Sequence, residues 1–252
     1  MIENPCRILV RRMKQGIQFF TSLRTTIWLL GLQISMLLAG AFIMPVNEAF
    51  QSIHAVPLIQ WIREQPVSVT WWMWGSIGLL TVLTANTIFC SVQSVLKKRN
   101  VFQWLLIVSP QIIHLSFLFM LIAHFASATG GFEGVVVARE GTAVVLPNNA
   151  SLQIKVITII TDSHGYMRDW AVDVGYLSKE NMIKEERLMP NQPFFWEGFG
   201  VYVKDLQAFP EKVVFLEISR EPGAVWALIG GATFMVGIVT LLLLKMKREE
   251  QP

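Results

Sequence analysis

Four stretches of this chain carry no Asp, Glu, Lys or Arg and are long enough to cross a bilayer: residues 27–44, 71–92, 101–128 and 224–244. Hydrocarbon offers no water to an unpaired backbone group, so each such stretch is expected to be a helix. Apolar residues make up 53% of the 252 and charged ones 15%, with a mean hydropathy of +0.48, which excludes an ordinary soluble domain. Ala39-Gly40-Ala41 looks like a cleavage site in the first stretch. The apolar run continues past it to Met44, and the basic segment ahead is long for a secretory signal, so the stretch reads as an uncleaved anchor.

Basic residues orient the spans. Arg7, Arg11, Arg12, Lys14 and Arg24 precede the first, Lys97, Lys98 and Arg99 separate the second from the third, and Lys245, Lys247 and Arg248 follow the fourth. The connection between the first two has only Arg63, offset by Glu48 and Glu64. The positive-inside rule then puts both termini in the cytoplasm and the region after the third span outside. That region holds nine Lys and Arg against thirteen Asp and Glu, about −4, so the net +3 of the chain comes from its cytoplasmic edges. These read as topology signals and contacts to anionic membrane lipid, not as a nucleic-acid surface.

The chain therefore divides into an N-terminal membrane region (1–128), an extracytoplasmic domain (129–222), and a fourth span with a cytoplasmic tail (223–252). The middle part alternates apolar and polar residues, as β structure does. Short runs at 135–138 and 143–146 are joined by Arg139-Glu140-Gly141 as a plausible hairpin, and 152–160, 170–176, 199–206 and 213–218 supply further strands. Turns are expected at Pro147-Asn148-Asn149, 162–165 and 190–193. The fold expected is an α-helical membrane protein of four transmembrane helices, with a small antiparallel β sandwich or open barrel inserted between the third and fourth. Ile53, Leu58, Trp61 and Ile62 could cover one face of a short helix on the outer membrane surface, a pattern that Pro57 interrupts.

Polar residues within the spans carry the functional signal. His114 falls at the midpoint of 101–128, where an ionisable ring is expensive and normally turns to a partner, a cofactor or a water path. Imidazole is a common axial ligand of haem iron, and a helix-packing histidine bonded to a neighbouring amide or carbonyl is the plainer alternative. Gln111 lies one turn away on the same face and could orient the ring or a cofactor group. Gln33, Asn86 and Gln111 share a similar depth, as interhelical amide bonds or as a polar lining beneath His114. His124 lies about 15 Å nearer the outer surface and is a weaker ligand candidate. His54 and His164 sit in loops and read as solvated. With these four histidines, only His114 is at mid-membrane depth, so a bis-histidine haem needs a second ligand from another subunit, unless Met36, Met120 or Met235 serves.

Cys6 and Cys90 fall on the cytoplasmic side, and the outer region has no cysteine. No CxxC redox pair and no CxxCH haem-attachment motif occur, so the chain is not itself a c-type cytochrome. The outer region also lacks a Ser/His/Asp constellation or a His/Cys cluster for zinc.

Taken in order, several segments resemble the ResB family (ResB/CcsB type), a core subunit of the system II cytochrome c synthase. They are Ser22-Leu23-Arg24-Thr25-Thr26 with Pro45; Trp71-Trp72 with Asn86 and Cys90 ahead of a basic loop; His114 to Phe117 followed by Gly131 and Arg139-Glu140-Gly141; Asn191-Gln192-Pro193 with Trp196-Glu197-Gly198-Phe199; and Glu221-Pro222-Gly223. The resemblance covers nearly the whole chain. It implies a multi-pass subunit of the bacterial cytoplasmic membrane, or its thylakoid equivalent, that handles haem for covalent attachment to apocytochrome c outside. His114 would be an axial ligand of the iron of a haem b shared with a CcsA/ResC-type partner subunit carrying the WWD segment, which this chain lacks. A thioredoxin-like thiol reductant is a further implied partner, and any synthase activity would be non-autonomous. A haem-free assembly scaffold and a haem-bearing anchor of an electron-transfer complex are the rival readings.

The topology has a direct test. Cysteines introduced at Ser163 and Ser178 should react with an impermeant thiol reagent in intact cells, and one at Ser94 should stay silent; the reverse pattern would overturn the orientation.

Overall fold

The computed structural model describes residues 22–97, 104–146, 150–178 and 181–249, which form two compact units. The Pro147-Asn148-Asn149 turn, Cys6, and the basic residues at 7–14 and 98–99 lie outside the described residues.

The first unit is helical. It contains α1 (Leu23–Ile43), a short α2 (Leu58–Glu64), α3 (Val67–Lys97), α4 (Trp104–Gly130) and α5 (Ala224–Glu249). Four helices are long and apolar enough to cross a membrane, over Leu23–Val46, Val67–Leu96, Val108–Gly130 and Ala224–Lys247. Their outward faces carry exposed Ile27, Trp28, Val92, Ile122 and Leu228, as a hydrocarbon-facing surface requires. α3 extends beyond the expected 71–92 because Pro66, which needs no N–H partner, opens it four residues earlier. The same logic resolves the 53–62 segment. Pro57 precedes α2 rather than breaking it, and Ile53 falls outside the helix. Trp61 and Ile62 are 2% and 1% exposed, so the apolar face of α2 is packed against the rest of its unit. Trp61 lies 5.0 Å from the Phe50 ring, which lies 6.3 Å from Trp72, and its indole N–H donates to Ser52 Oγ at 3.2 Å.

Two helix pairs are set by small residues. In the first, Gly40 of α1 lies under the Trp72 ring, and Gly75 of α3 lies against Met36. In the second, Ser109, Ser116 and Ala123 recur every seven residues on α4 and are all buried. Gly223, Gly230 and Gly237 recur at the same interval at and along α5. A Cβ at Gly230 would stand 3.1 Å from the Ser116 carbonyl oxygen, and one at Gly237 would stand 2.8 Å from Ile113 Cγ1, while Gly223 abuts the Ala123 carbonyl. The order runs oppositely on the two helices, so they are antiparallel and in close backbone approach.

The second unit is a β sandwich. Its strands are β1 (Phe132–Arg139), β2 (Ala143–Val145), β3 (Ser151–Thr161), β4 (Met167–Ser178), β5 (Asn181–Leu188), β6 (Phe194–Trp196), β7 (Phe199–Gln207) and β8 (Val213–Arg220). They form two antiparallel four-stranded sheets, ordered β1-β8-β7-β6 and β2-β3-β4-β5. One core lies between the sheets, with Leu152, Ile154, Val172, Tyr176, Val214 and Leu216 at its centre.

The structure corrects the expected β1–β2 hairpin. The strands lie in different sheets, with Val135 paired to Glu217 of β8 and Val144 to Leu152 of β3. The reason is local. Gly141, at φ +82°, donates its N–H to the Ile154 carbonyl, and Ile154 N–H donates to the Thr142 carbonyl. The turn thus hands the chain across the sandwich to β3 instead of returning it along β1. Two strands escape the alternation rule. β5, with Lys184, Glu185, Glu186 and Arg187 in succession, is a charged edge strand, and β6 is only three residues long.

The α4–α5 contact makes a prediction with its own control. Gly237→Val should destabilise the full chain by about 1–3 kcal/mol through overpacking, read as a lower melting temperature in detergent. Gly231→Val, where a Cβ meets nothing within 4 Å, should change it far less.

Candidate functional site

His114 reaches from α4 to α3. Its Nδ1 lies 2.8 Å from Ser91 Oγ. The two faces of α4 are thereby assigned: Ser116, rotated about 160° from His114 at 100° per residue, meets α5, and His114 meets α3. The Ser91 hydroxyl can donate to Nδ1 or accept from it. When Nδ1 carries the proton and donates, Nε2 holds the lone pair, which is the arrangement of a metal-ligating imidazole oriented through its other nitrogen. Among the described residues Nε2 has no hydrogen-bond partner, and the ring is only partly buried.

The pairing also fixes position along the helices. Ser91 is six residues, about 9 Å, from the Lys97 end of α3, so His114 lies in the half of the α3–α4 pair nearer that end. Pro110, inside α4 and one turn before His114, supplies no N–H to the helix ladder there.

The three amides separate into two groups. Asn86 Oδ1 accepts from Thr26 Oγ1 at 2.8 Å and is 1% exposed, which places it in the α1–α3 contact. Gln33, 8% exposed on α1, has an unpartnered buried Oε1. Five residues separate Asn86 from Ser91, about 140° around α3, so one faces α1 and the other α4. Asn86 thus follows the helix-packing reading, while the Gln33 Oε1 has no hydrogen-bond partner among the described residues. Gln111 remains beside His114, one turn earlier on α4, and its buried Oε1 has no hydrogen-bond partner. A buried amide oxygen left unpaired costs about 1–3 kcal/mol, and Gln33 Oε1, Ser76 Oγ and Ser109 Oγ share that state in the helices.

The remaining candidates lie elsewhere. His124 is exposed ten residues along α4, His54 is exposed, and His164 is exposed in the β3–β4 turn. Met36 packs against Gly75, and Met120 packs against Gly230 on the α5 side of α4. Met235 is 61% exposed. Among the described residues, no three of His, Cys, Asp and Glu come together as a metal cluster.

Ser91 was not legible as a site residue. A serine near the end of an apolar helix is ordinarily satisfied by its own backbone, and nothing in sequence spacing tells which helix it faces.

No family model matches the chain, and no curated protein does. Among solved structures, the cytochrome c haem lyase CcmF is similar over 88% of this chain and 35% of its own length, at 14% identity and a TM-score of 0.44. This chain spans about a third of that protein's length, and a likeness of that degree fixes neither fold nor function.

Proposed function

We propose that this chain is a membrane subunit of a cytochrome c maturation complex of the system II type, which binds and positions haem for covalent attachment to the CxxCH motifs of apocytochrome c. The observation that carries the reading is the Ser91–His114 pair, which engages Nδ1 and leaves Nε2 without a hydrogen-bond partner among the described residues, on a partly buried ring. The order and spacing of the ResB-like segments support it from the sequence side.

The residues present fit a haem. His114 would hold the iron axially through Nε2, and Ser91 would fix the ring's rotation and tautomer. Gln111, with its unpaired Oε1, would accept from a protonated propionic acid or from a donor on the partner. When bound, the haem supplies the vinyl groups that become the thioether links. The second iron ligand would come from a CcsA/ResC-type subunit with a WWD segment, which would make the haem b shared. Under the positive-inside orientation, His114 lies near the cytoplasmic face while the β sandwich lies outside. His114 is then a capture site on the side from which haem arrives, and attachment to apocytochrome c, kept reduced by a thioredoxin-like partner, takes place on the other.

Energetics make the test clean. An interhelical hydrogen bond in a membrane contributes about 0.6 kcal/mol, so Ser91→Ala should leave the fold intact. His114→Ala should strip or destabilise haem in the purified complex and impair c-type cytochrome maturation at near-normal protein level. Added imidazole should partly restore both. Ser91→Ala should keep haem but weaken its retention, and His124→Ala should be much milder. A haem-free scaffold, in which Ser91 and His114 only staple α3 to α4, predicts equal effects for His114→Ala and Ser91→Ala, no response to imidazole, and no haem in the intact complex.

A further inference from the structure

The sandwich has four edge strands, and three are guarded. β2 and β6 are three residues long, and β5 carries the Lys155–Glu185, Lys184–Glu186 and Arg187–Asp173 ion pairs. Short length and charge are the usual defences against adventitious pairing. β1 is longer, at eight residues, and carries charge only near its ends, at Glu133 and Arg139, with Gly134 to Ala138 uncharged between them.

The backbone of β1 shows where its free groups point. In an antiparallel ladder, alternate residues direct both N–H and C=O to the same neighbour. Glu133 N–H donates to the His54 carbonyl at 2.7 Å, so Glu133 faces away from β8. Arg139 N–H donates to Thr142 Oγ1 at 3.1 Å, and its carbonyl accepts from Thr142 N–H at 3.0 Å, so Arg139 faces away as well. The β1–β8 register is unbroken between them, which makes Val135 and Val137 face the open edge too. Among the described residues neither has a hydrogen-bond partner for its outward N–H or C=O. Their side chains are 49% and 56% exposed.

We infer that β1 is a docking edge for an extended, unfolded polypeptide segment, which adds as a fifth strand through the outward N–H and C=O groups of Val135 and Val137. Only an extended backbone presents donors and acceptors at the two-residue spacing these groups require. The slot is closed at both ends, by the 54–58 segment at Glu133 and by the Thr142 turn at Arg139. A second copy of β1 would bring the same two obstructions against these. A thin peptide can bend away after three residues. The Glu133 carboxylate at one end favours a basic side chain on the incoming segment. This inference concerns backbone pairing and stands apart from haem binding at His114.

The test uses the full chain in detergent and a fluorescein-labelled Thr-Val-Thr-Val-Thr-Val-Lys peptide, with two forms N-methylated on the valines or on the threonines. Fluorescence anisotropy should show saturable binding, lost by about tenfold or more for one methylation pattern and retained for the other, because only one set of amides faces β1. Val137→Pro should cause a similar loss, since it deletes an N–H that no ladder bond to β8 uses. Far-UV circular dichroism reports whether that variant folds; where it does not, the methylation pair on the unaltered chain decides. No saturable binding, or equal binding of both methylated forms, overturns the inference. So does a concentration-dependent dimer that Val137→Pro abolishes without any peptide binding, which would make a second copy the occupant.

Discussion

A polar side chain inside hydrocarbon has no water to fall back on, and the arrangement of the helices follows from how each such group is satisfied. Several hydroxyls solve the problem within their own helix. Ser35, Thr81, Thr84, Thr87 and Thr233 each donate to the carbonyl four residues earlier, at 2.7–3.0 Å. Two other side chains are met across helices. Asn86 is met by Thr26, and His114 by Ser91. These contacts pin the register of α1 on α3 and of α3 against α4, while the glycines at 223, 230 and 237 let α5 close on the opposite face of α4. Among the described residues His114 is thereby held through Nδ1 alone, and Nε2 has no hydrogen-bond partner.

The sandwich is built under the opposite condition. Its core is apolar and continuous, and its charges sit on the outside in exposed pairs such as Lys204–Glu217 and Arg139–Glu211. Exposed pairs of this kind contribute little stability, typically 0–1 kcal/mol. Their distribution matters more for what they forbid, because β5 is charged along its middle where β1 is uncharged from Gly134 to Ala138. The same domain therefore discourages pairing at one edge and leaves it open at another.

Much of this was legible in the sequence, for identifiable reasons. Charge-free stretches report helices directly, because burying a charge in hydrocarbon is costly, and the four spans were found with their ends shifted by a few residues. Alternation located β3, β4, β7 and β8, which are each buried on one face. It missed β5, whose edge position allows charge on consecutive residues, and it paired β1 with β2 because proximity in sequence favours hairpins. Only the Gly141 turn, whose bonds run to Ile154, sends the chain to the other sheet. At the candidate site, His114 and Gln111 stood out as polar groups in an apolar helix. Ser91 did not, since its role depends on which way α3 is rotated, and tertiary contact alone sets that rotation.

The central claim is that Nε2 of His114 is a ligand of haem iron while Nδ1 is held by Ser91. The most direct measurement is electron–nuclear double resonance on the intact, purified complex with ring-15N histidine supplied only to this chain. The account predicts one strongly coupled ring nitrogen at low-spin ferric iron from this subunit, absent in His114→Ala and restored in number, but not in isotope, by unlabelled imidazole. A complex whose iron shows no coupled nitrogen from this chain, or the same coupling after His114 is replaced, would contradict it.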